Sequence, residues 1–569
     1  VFVVRFTLPT AQDLYVKGVG WFVAGVLDVD ATDLDAVSRA RYLVTSYGAI
    51  EIGEVPSWTP PPDLPGAPAG PAPDPYPQYL TLEDIGDAIE AGAIPELRAA
   101  FGRGVSVTAY GAVGNGTTDD SSAFRTALAT GQPVYVPAGT YRVSRDGVNA
   151  WALTLPTGTR LHGPGRILLA PGSAVSVRVL HIAAADVHVD GLTIDGNRAT
   201  QSVEANAQRH GIIVTGGATG ISLANLDLRA NSGDGILVAP SADVRIANNR
   251  ITNCERNGIT LYAFGGDVLD VTILGNHIEA DVQPIDSEPD GGYVNDIRIH
   301  GNYLRALGDG YALTVAGATA TPARGWSVIG NTMVGALYVI NQQAAKIIGN
   351  TIDARNSPTH NGVHALFSST DILLANNEIL TANNQFGVNM QLSSGTRPVG
   401  WKVLGNIIKT LGTSARGINM TGIGQALVAD NTIRGVNGEI GVHVQATADL
   451  DSLDIVNNSV EGFGFAGIYA APFSTFQIKS LRIVGNRVIN EEAVPVANTG
   501  VWLAGTAAQF LSTVVRENTV SSVYGTAINL GSVTVGPELS YSRTGETTQV
   551  AAIRAAMVAL GLVKDSTTA

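Results

Sequence analysis

Two carboxylates two residues apart, Asp286 and Glu288 in Val282-Gln-Pro-Ile-Asp-Ser-Glu-Pro289, carry the strongest chemical signal in the chain. Residues i and i+2 of a β-strand share a face, with Cα atoms about 6 to 7 Å apart. Two same-face acids are what cleavage of a glycosidic bond requires, one as acid and one as base or nucleophile. The spacing fits both retaining and inverting geometries and chooses neither. Glu255 and Arg256 stand one sequence repeat earlier and Asp309 one repeat later, and any of them could complete a site across neighbouring turns of a solenoid. Asp309 precedes Gly310 and also reads as a turn residue. Glu204 and His210 fall on a longer excursion between Asn197 and Arg209, where a lid or substrate loop could sit. Two other readings stay open. The pair could be solvated turn carboxylates before Pro289-Asp-Gly-Gly, or Asp281, Asp286, Glu288 and Asp290 could be the acids of a calcium-assisted lyase.

The strand that holds the pair belongs to a recurring pattern, Gly followed by an apolar residue, met at His210-Gly-Ile, Asp234-Gly-Ile, Asn257-Gly-Ile, Asn361-Gly-Val, Phe386-Gly-Val, Arg416-Gly-Ile, Ile440-Gly-Val, Ala466-Gly-Ile and Thr499-Gly-Val. If the residue after each Gly points inward, alternation sends Thr260, Tyr262, Asp286, Glu288, His364, Asn389, Gln391, Asn419, His443, Gln445, Tyr469 and Trp502 outward. Such a polar, aromatic-studded stripe offers flat surfaces for the C–H faces of sugars and fixed partners for their hydroxyls. With Arg256 it forms the expected substrate-binding set. An ordinary outer sheet or a seam between subunits would favour the same residue types.

A second repeat, apolar-x-x-Asn-x-apolar, places Asn249, Asn276, Asn302, Asn331, Asn350, Asn377, Asn406, Asn431, Asn458, Asn486 and Asn518 at intervals of 27, 26, 29, 19, 27, 29, 25, 27, 28 and 32 residues. Asp195 and Asn225 read as earlier, approximate members. About a dozen coils are expected, with the asparagines stacked in a structural ladder. A change of register is expected at the 19-residue and 32-residue intervals.

The stretch Val105-Ser-Val-Thr-Ala-Tyr-Gly-Ala-Val-Gly-Asn-Gly-Thr-Thr-Asp-Asp120, the amphipathic run from Ala123 to Ala129, and Pro133-Val-Tyr-Val-Pro-Ala-Gly-Thr-Tyr-Arg-Val143 together resemble the opening of the pectate-lyase-like β-helix superfamily of tailspikes and polysaccharide depolymerases. Thr118, Asp119 and Asp120 would cap a helix covering the first rung. The Ile-Asp-x-Glu-Pro motif at 285–289 also resembles one found in such proteins. The resemblance implies an all-β, right-handed parallel β-helix over 105–535. It also implies a phage tailspike or receptor-binding protein, located on the virion and extracellular after release, that binds and hydrolyses a bacterial surface polysaccharide. The implied partners are that polysaccharide, two further copies in a homotrimer, and phage tail, baseplate or head proteins reached through residues 1–56. A non-enzymatic glycan-binding fibre remains the alternative, and carboxylates paired to arginines would favour it. The Asn-Thr-Asp, Asp-Asp, Gly-His-Gly and Arg-Ile-Lys set of the polygalacturonases is missing.

The remaining chain divides by composition. A small α+β attachment module (1–56), with a helix expected from Asp33 to Tyr42, precedes a proline-rich linker (57–80). A connector helix follows (81–104), after Asp74-Pro-Tyr-Pro-Gln-Tyr-Leu80, which resembles tail-fibre connectors. The C-terminal segment (536–569) spaces Val550, Ile553, Met557 and Leu560 as a short helical seam suited to subunit contact. The 569 residues carry 45% hydrophobic and 15% charged side chains, 66 glycines and a net charge of −14. That balance argues for many short strands and against a nucleic-acid partner. No cofactor or metal is expected, since the single cysteine, Cys254, leaves no thiolate cluster and reads as an apolar thiol. Neither a membrane span nor a signal peptide is expected.

Overall fold

The computed structural model describes residues 104–530, apart from 175–176, 204–207, 367, 393–396, 491–498 and 523–527. It also describes 541–542 and the backbone of five strands within 2–56. The chain divides into two units, Val1–Asp87 and Ala88–Ala569. In the first, Phe2–Thr7 pairs antiparallel with Val26–Asp30 and Ile50–Pro56, and Leu14–Val16 pairs with Gly20–Phe22. The expected helix at Asp33 to Tyr42, the proline-rich linker, the connector helix, the C-terminal seam and Glu204 lie outside the described residues.

The second unit is a parallel β-solenoid of about 15 turns. In one coil, Val268–Leu274 runs to Asn276, His277–Ala280 follows, then Ile285–Glu288, and the chain returns through Arg298–His300. Each strand pairs with its counterpart one coil on: Val268–Leu274 with Arg298–His300, His277–Ala280 with Tyr303–Ala306, Ile259–Tyr262 with Ile285–Glu288. Inward residues such as Ile259, Ile285, Leu313, Leu337 and Val363 stack with no exposed surface. Shedding that apolar area from water in every coil is the main driving force for the rod.

The asparagine ladder forms as expected. From Asn249 to Asn518, each Nδ2 donates to the Oδ1 of the next asparagine at 2.8–3.0 Å. That same Oδ1 also accepts the preceding asparagine's backbone N–H, as at Asn377 N to Asn406 Oδ1 (2.9 Å). All eleven are buried, at most 2% exposed. The residue before each is left-handed, for example Asn248 (φ 56°), Gly275 (φ 63°) and Asp430 (φ 58°), a conformation open mainly to Gly, Asn and Asp. Asn225 (φ 54°) belongs to this second column and not to the ladder, where Leu226 stands and donates its N–H to Asn249 Oδ1 at 2.9 Å. Asp195 is no ladder member either, since it sits in the strand Thr193–Asp195 and binds Arg166 and Arg229 at 2.7 and 3.0 Å. The first coils lack the Asn signal altogether, which explains why the sequence shows about a dozen.

Contrary to expectation, the 19-residue coil does not change register in the ladder. Asn331 Nδ2 meets Asn350 Oδ1 at 2.9 Å, and Thr332–Val334 aligns with Thr351–Ala354. The residues are lost from turns, with only Gly335 between Thr332–Val334 and Ala336–Ile340. The 32-residue interval likewise keeps its ladder bond, Asn486 to Asn518, at 2.9 Å.

At the N-terminal end, the helix Ser121–Leu128 buries Phe124 edge-on against Tyr141, 5.6 Å between ring centres. The expected cap is divided between two acids. Asp119 accepts the Ser121 N–H (3.0 Å), while Asp120 turns away to accept the amides of Val113 and Gly114 at 2.7 and 3.2 Å, pinning the glycine-rich loop.

Candidate functional site

The expected stripe is in register, though Thr260 within it is fully buried. Thr260 pairs with Asp286 and Tyr262 with Glu288. Ile285 pairs with Leu313, which sets Thr314 over Asp286, and Thr314 pairs with Tyr338. The column then continues through His364, Asn389, Asn419, His443, Tyr469 and Trp502. Gln391 and Gln445 flank it two residues on, joined by Thr421.

Asp286 and Glu288 lie two residues apart on the strand Ile285–Glu288 at the acidic end of this stripe. Burial, then the Glu288 charge, pushes the Asp286 carboxyl up to about 7. Burial also raises Glu288, opposed by the guanidinium of Arg256, whose Nη2 lies 3.1 Å from Glu288 Oε1. Asn257 Nδ2 donates to Asp286 Oδ2 at 3.2 Å and to Thr260 Oγ1 at 3.1 Å. Tyr262 stacks on exposed Phe264 (5.8 Å) and reaches Asp290 Oδ2 at 3.4 Å. A carboxylic acid raised to about 7 beside a carboxylate that an arginine contacts, with an aromatic pair alongside, can transfer a proton near neutral pH.

Two expected partners are placed elsewhere. Glu255 reaches Arg198 at 3.6 Å, and Arg198 also holds Asp281 at 2.9 Å. The four acids considered for calcium are therefore not drawn into one cluster. Asp309 binds Thr359 (2.7 Å) and His360 (3.1 Å), some fifty residues on, because the short coil between them has no protruding turn to keep the two loops apart. These hydrogen bonds from Thr359 and His360 outweigh desolvation and lower the Asp309 carboxyl below its ordinary value. Tyr311 fills the same gap, stacked on Tyr338 (4.6 Å) and 3.2 Å from His364 Nδ1. Its phenol is pushed up to about 12, chiefly by burial, and burial takes His364 down to about 4.

Further along, Asn389, Asn419 and His443 are buried, 4%, 4% and 6% exposed; Arg416 lies against the last two, and Asn419 Nδ2 donates to Asn389 Oδ1 at 2.7 Å. Arg416 Nη1 sits 2.9 Å from Asn419 Oδ1 and 3.0 Å from His443 Nδ1, and its Nε pairs with Glu439 at 2.9 Å. Burial, then Arg416, takes His443 down to about 3, so the imidazole is neutral. These three expected sugar contacts therefore brace the stripe from beneath. The surface left open is Gln391, Gln445, Tyr469 and Trp502, joined by Phe465, whose ring is 5.1 Å from Trp502.

His210 is not on a lid. It is fully buried, accepts the Asp234 N–H at Nδ1 (2.9 Å) and contacts Gln208 through Nε2 (2.9 Å). Asp234 and Asn257, the residues that back the acid pair, escape sequence reasoning because each precedes a glycine and reads as a turn. Tyr311 and Tyr338 were missed because they stand where the Gly-apolar pattern lapses, and Arg416 and Phe465 because they precede its glycine and fall outside the outward alternation. Cys254 is buried, its thiol pushed up to about 12 by desolvation.

Residues 104–261 match the family described as Rhamnogalacturonase A/epimerase, pectate lyase-like. The chain contains a pectate-lyase-like domain. This pectate-lyase-like segment takes in Asp234, Arg256, Asn257 and Thr260 and ends one coil before Asp286. Among curated proteins, the chain is similar to the pre-neck appendage protein of Bacillus phage B103, 31% identical over 173 residues, 29% of this chain and 17% of that one. It is also similar to the preneck appendage protein of Bacillus phage PZA, 51% identical over 63 residues, 11% of this chain and 7% of that one. The matches thus span less than a fifth of those relatives. Among solved structures, the A-module of a mannuronan C-5 epimerase of Azotobacter vinelandii is 18% identical, covering 77% of this chain and 94% of that one, with a TM-score of 0.28. Among the described residues, no helix is long and apolar enough to cross a membrane.

Proposed function

We propose that this chain is a phage virion appendage whose β-solenoid binds a bacterial surface polysaccharide and hydrolyses it at Asp286 and Glu288. The observation that carries the reading is the acid pair itself, with Asp286 pushed up to about 7 and set in the stripe that runs on to Tyr469 and Trp502. Asp286 gives its proton to the departing glycosidic oxygen. Glu288, in its ionised form and contacted by Arg256, activates water or attacks the sugar. Asp286 and Glu288 share one strand, two residues apart, which is the side-by-side arrangement an acid and a base or nucleophile need. The phage assignment is supported by the two appendage proteins it resembles, and a homotrimer belongs to the same proposal.

One observation favours a binder without chemistry: Glu288 is paired to an arginine, as a purely structural carboxylate would be. Incubation of the protein with capsular, O-antigen and wall polysaccharides, following chain length, reducing ends and unsaturated-sugar absorbance, separates the readings. Shortened products with new reducing ends support hydrolysis, absorbance of unsaturated sugars supports a lyase, and binding without shortening supports the binder.

A further inference from the structure

Behind the acid pair lies a third carboxyl that no surface reaches. Asp234 is 0% exposed, two coils below Asp286, and it touches both residues that hold the pair. Its Oδ1 accepts the Asn257 N–H at 3.1 Å and lies 3.6 Å from Arg256 Nε. Asn257 in turn donates to Asp286, and Arg256 to Glu288. Its Oδ2 has no hydrogen-bond partner and faces His210 Nδ1 at 3.4 Å. That nitrogen already accepts the Asp234 backbone N–H, so its lone pair, not a proton, points toward the carboxyl. A fully buried carboxylate at that distance from a lone pair, with the Thr260 side chain as its remaining neighbour, is costly and calls for a reason.

We infer that Asp234 is a positioning residue for the acid pair: it fixes Arg256 and Asn257, and through them the orientation and the proton affinity of Asp286 and Glu288. Every charged group facing it belongs to this arrangement or borders it. Arg256 and His210 touch it, Asp286 and Glu288 lie above it, Cys254 neighbours it, and Arg178 stands beyond His210. Of these, Arg256 is the nearby cation. Without Asp234, its guanidinium is free to turn wholly to Glu288, and the proton on Asp286 is held less tightly. The inference rests on the acid-pair reading but has its own measurement.

That measurement is the pH dependence of thermal unfolding in wild type, Asp286→Asn, Asp234→Asn and the double variant. The difference between wild type and Asp286→Asn reports the titration of Asp286 without any substrate. With Asp234 intact, its midpoint lies near 7. In the Asp234→Asn background the midpoint falls by about one pH unit or more, a tenfold change in proton affinity. Asp234→Glu, which keeps the charge, restores at least half of the shift. An unmoved midpoint in a folded Asp234→Asn protein overturns the inference, whether or not any polysaccharide is cleaved. On a polysaccharide that wild type cleaves, the same variant lowers kcat at least tenfold with KM changed less than threefold. Equal loss in both would also contradict positioning. Absence of cleavage by wild type on every polysaccharide counts against the proposed function and leaves the thermal titration to decide Asp234.

Discussion

At the scale of single residues, the acid pair trades stability for chemistry. Asp286 has an ordinary carboxyl value of 3.8 when unfolded and about 7 when folded, so the folded state binds its proton more tightly. Stability from this group is fully present below pH 4 and is lost as pH rises through 7. Asp286→Asn removes that loss. The variant should therefore gain on the order of 1 to 4 kcal/mol over wild type at pH 8, with the gain vanishing near pH 4, read as the difference in Tm. Cleavage should follow the same proton, falling above about pH 7 as the acid loses it. A rate that keeps rising with pH through 8 would exclude Asp286 as the acid. The same-face pair was legible from its spacing alone. Its backing was not, because a buried Asp234 before a glycine has the local signature of any tight turn.

Elements decide how these residues meet. Asn406 accepts two hydrogen bonds from Asn377 and donates to Asn431 and the Leu374 carbonyl, all within buried surroundings. Asn406→Ala leaves buried donors without acceptors and should cost roughly 2 to 4 kcal/mol, seen as a lower denaturation midpoint. Asn225→Ala, one residue off the ladder, loses an exposed bond to Asp190 and a favourable left-handed residue and should cost only about 1 kcal/mol. Equal losses would mean that the ladder adds nothing beyond turn chemistry. The periodic asparagines made the coils readable, whereas the 19-residue coil misled. Its shortening removes a turn, and so lets Asp309, Tyr311, Thr359 and His360 close over the gap. Asp309→Ala should accordingly lower Tm while leaving any cleavage within about threefold of wild type. A loss comparable to that of Asp286→Asn would return Asp309 to the catalytic set.

For the whole molecule, the outward stripe follows from one-dimensional repetition: parallel strands in register copy each outward position onto the next coil. That is why the alternation rule located Tyr262, His364, Tyr469 and Trp502 together. It could not show that Arg416 would cover Asn419 and His443, since a long side chain from a strand start obeys no period. The trimer is tested by sedimentation of the full chain, which should give close to three times 58.9 kDa, and a monomer at micromolar concentration would remove it from the account. The central claim is tested most directly by exposing polysaccharides from candidate hosts to wild type and Asp286→Asn and following product size and reducing ends. The account predicts shortened chains with wild type, at least a hundredfold slower release with the variant, and undiminished binding by both. Shortening at equal rates by the two proteins would contradict it.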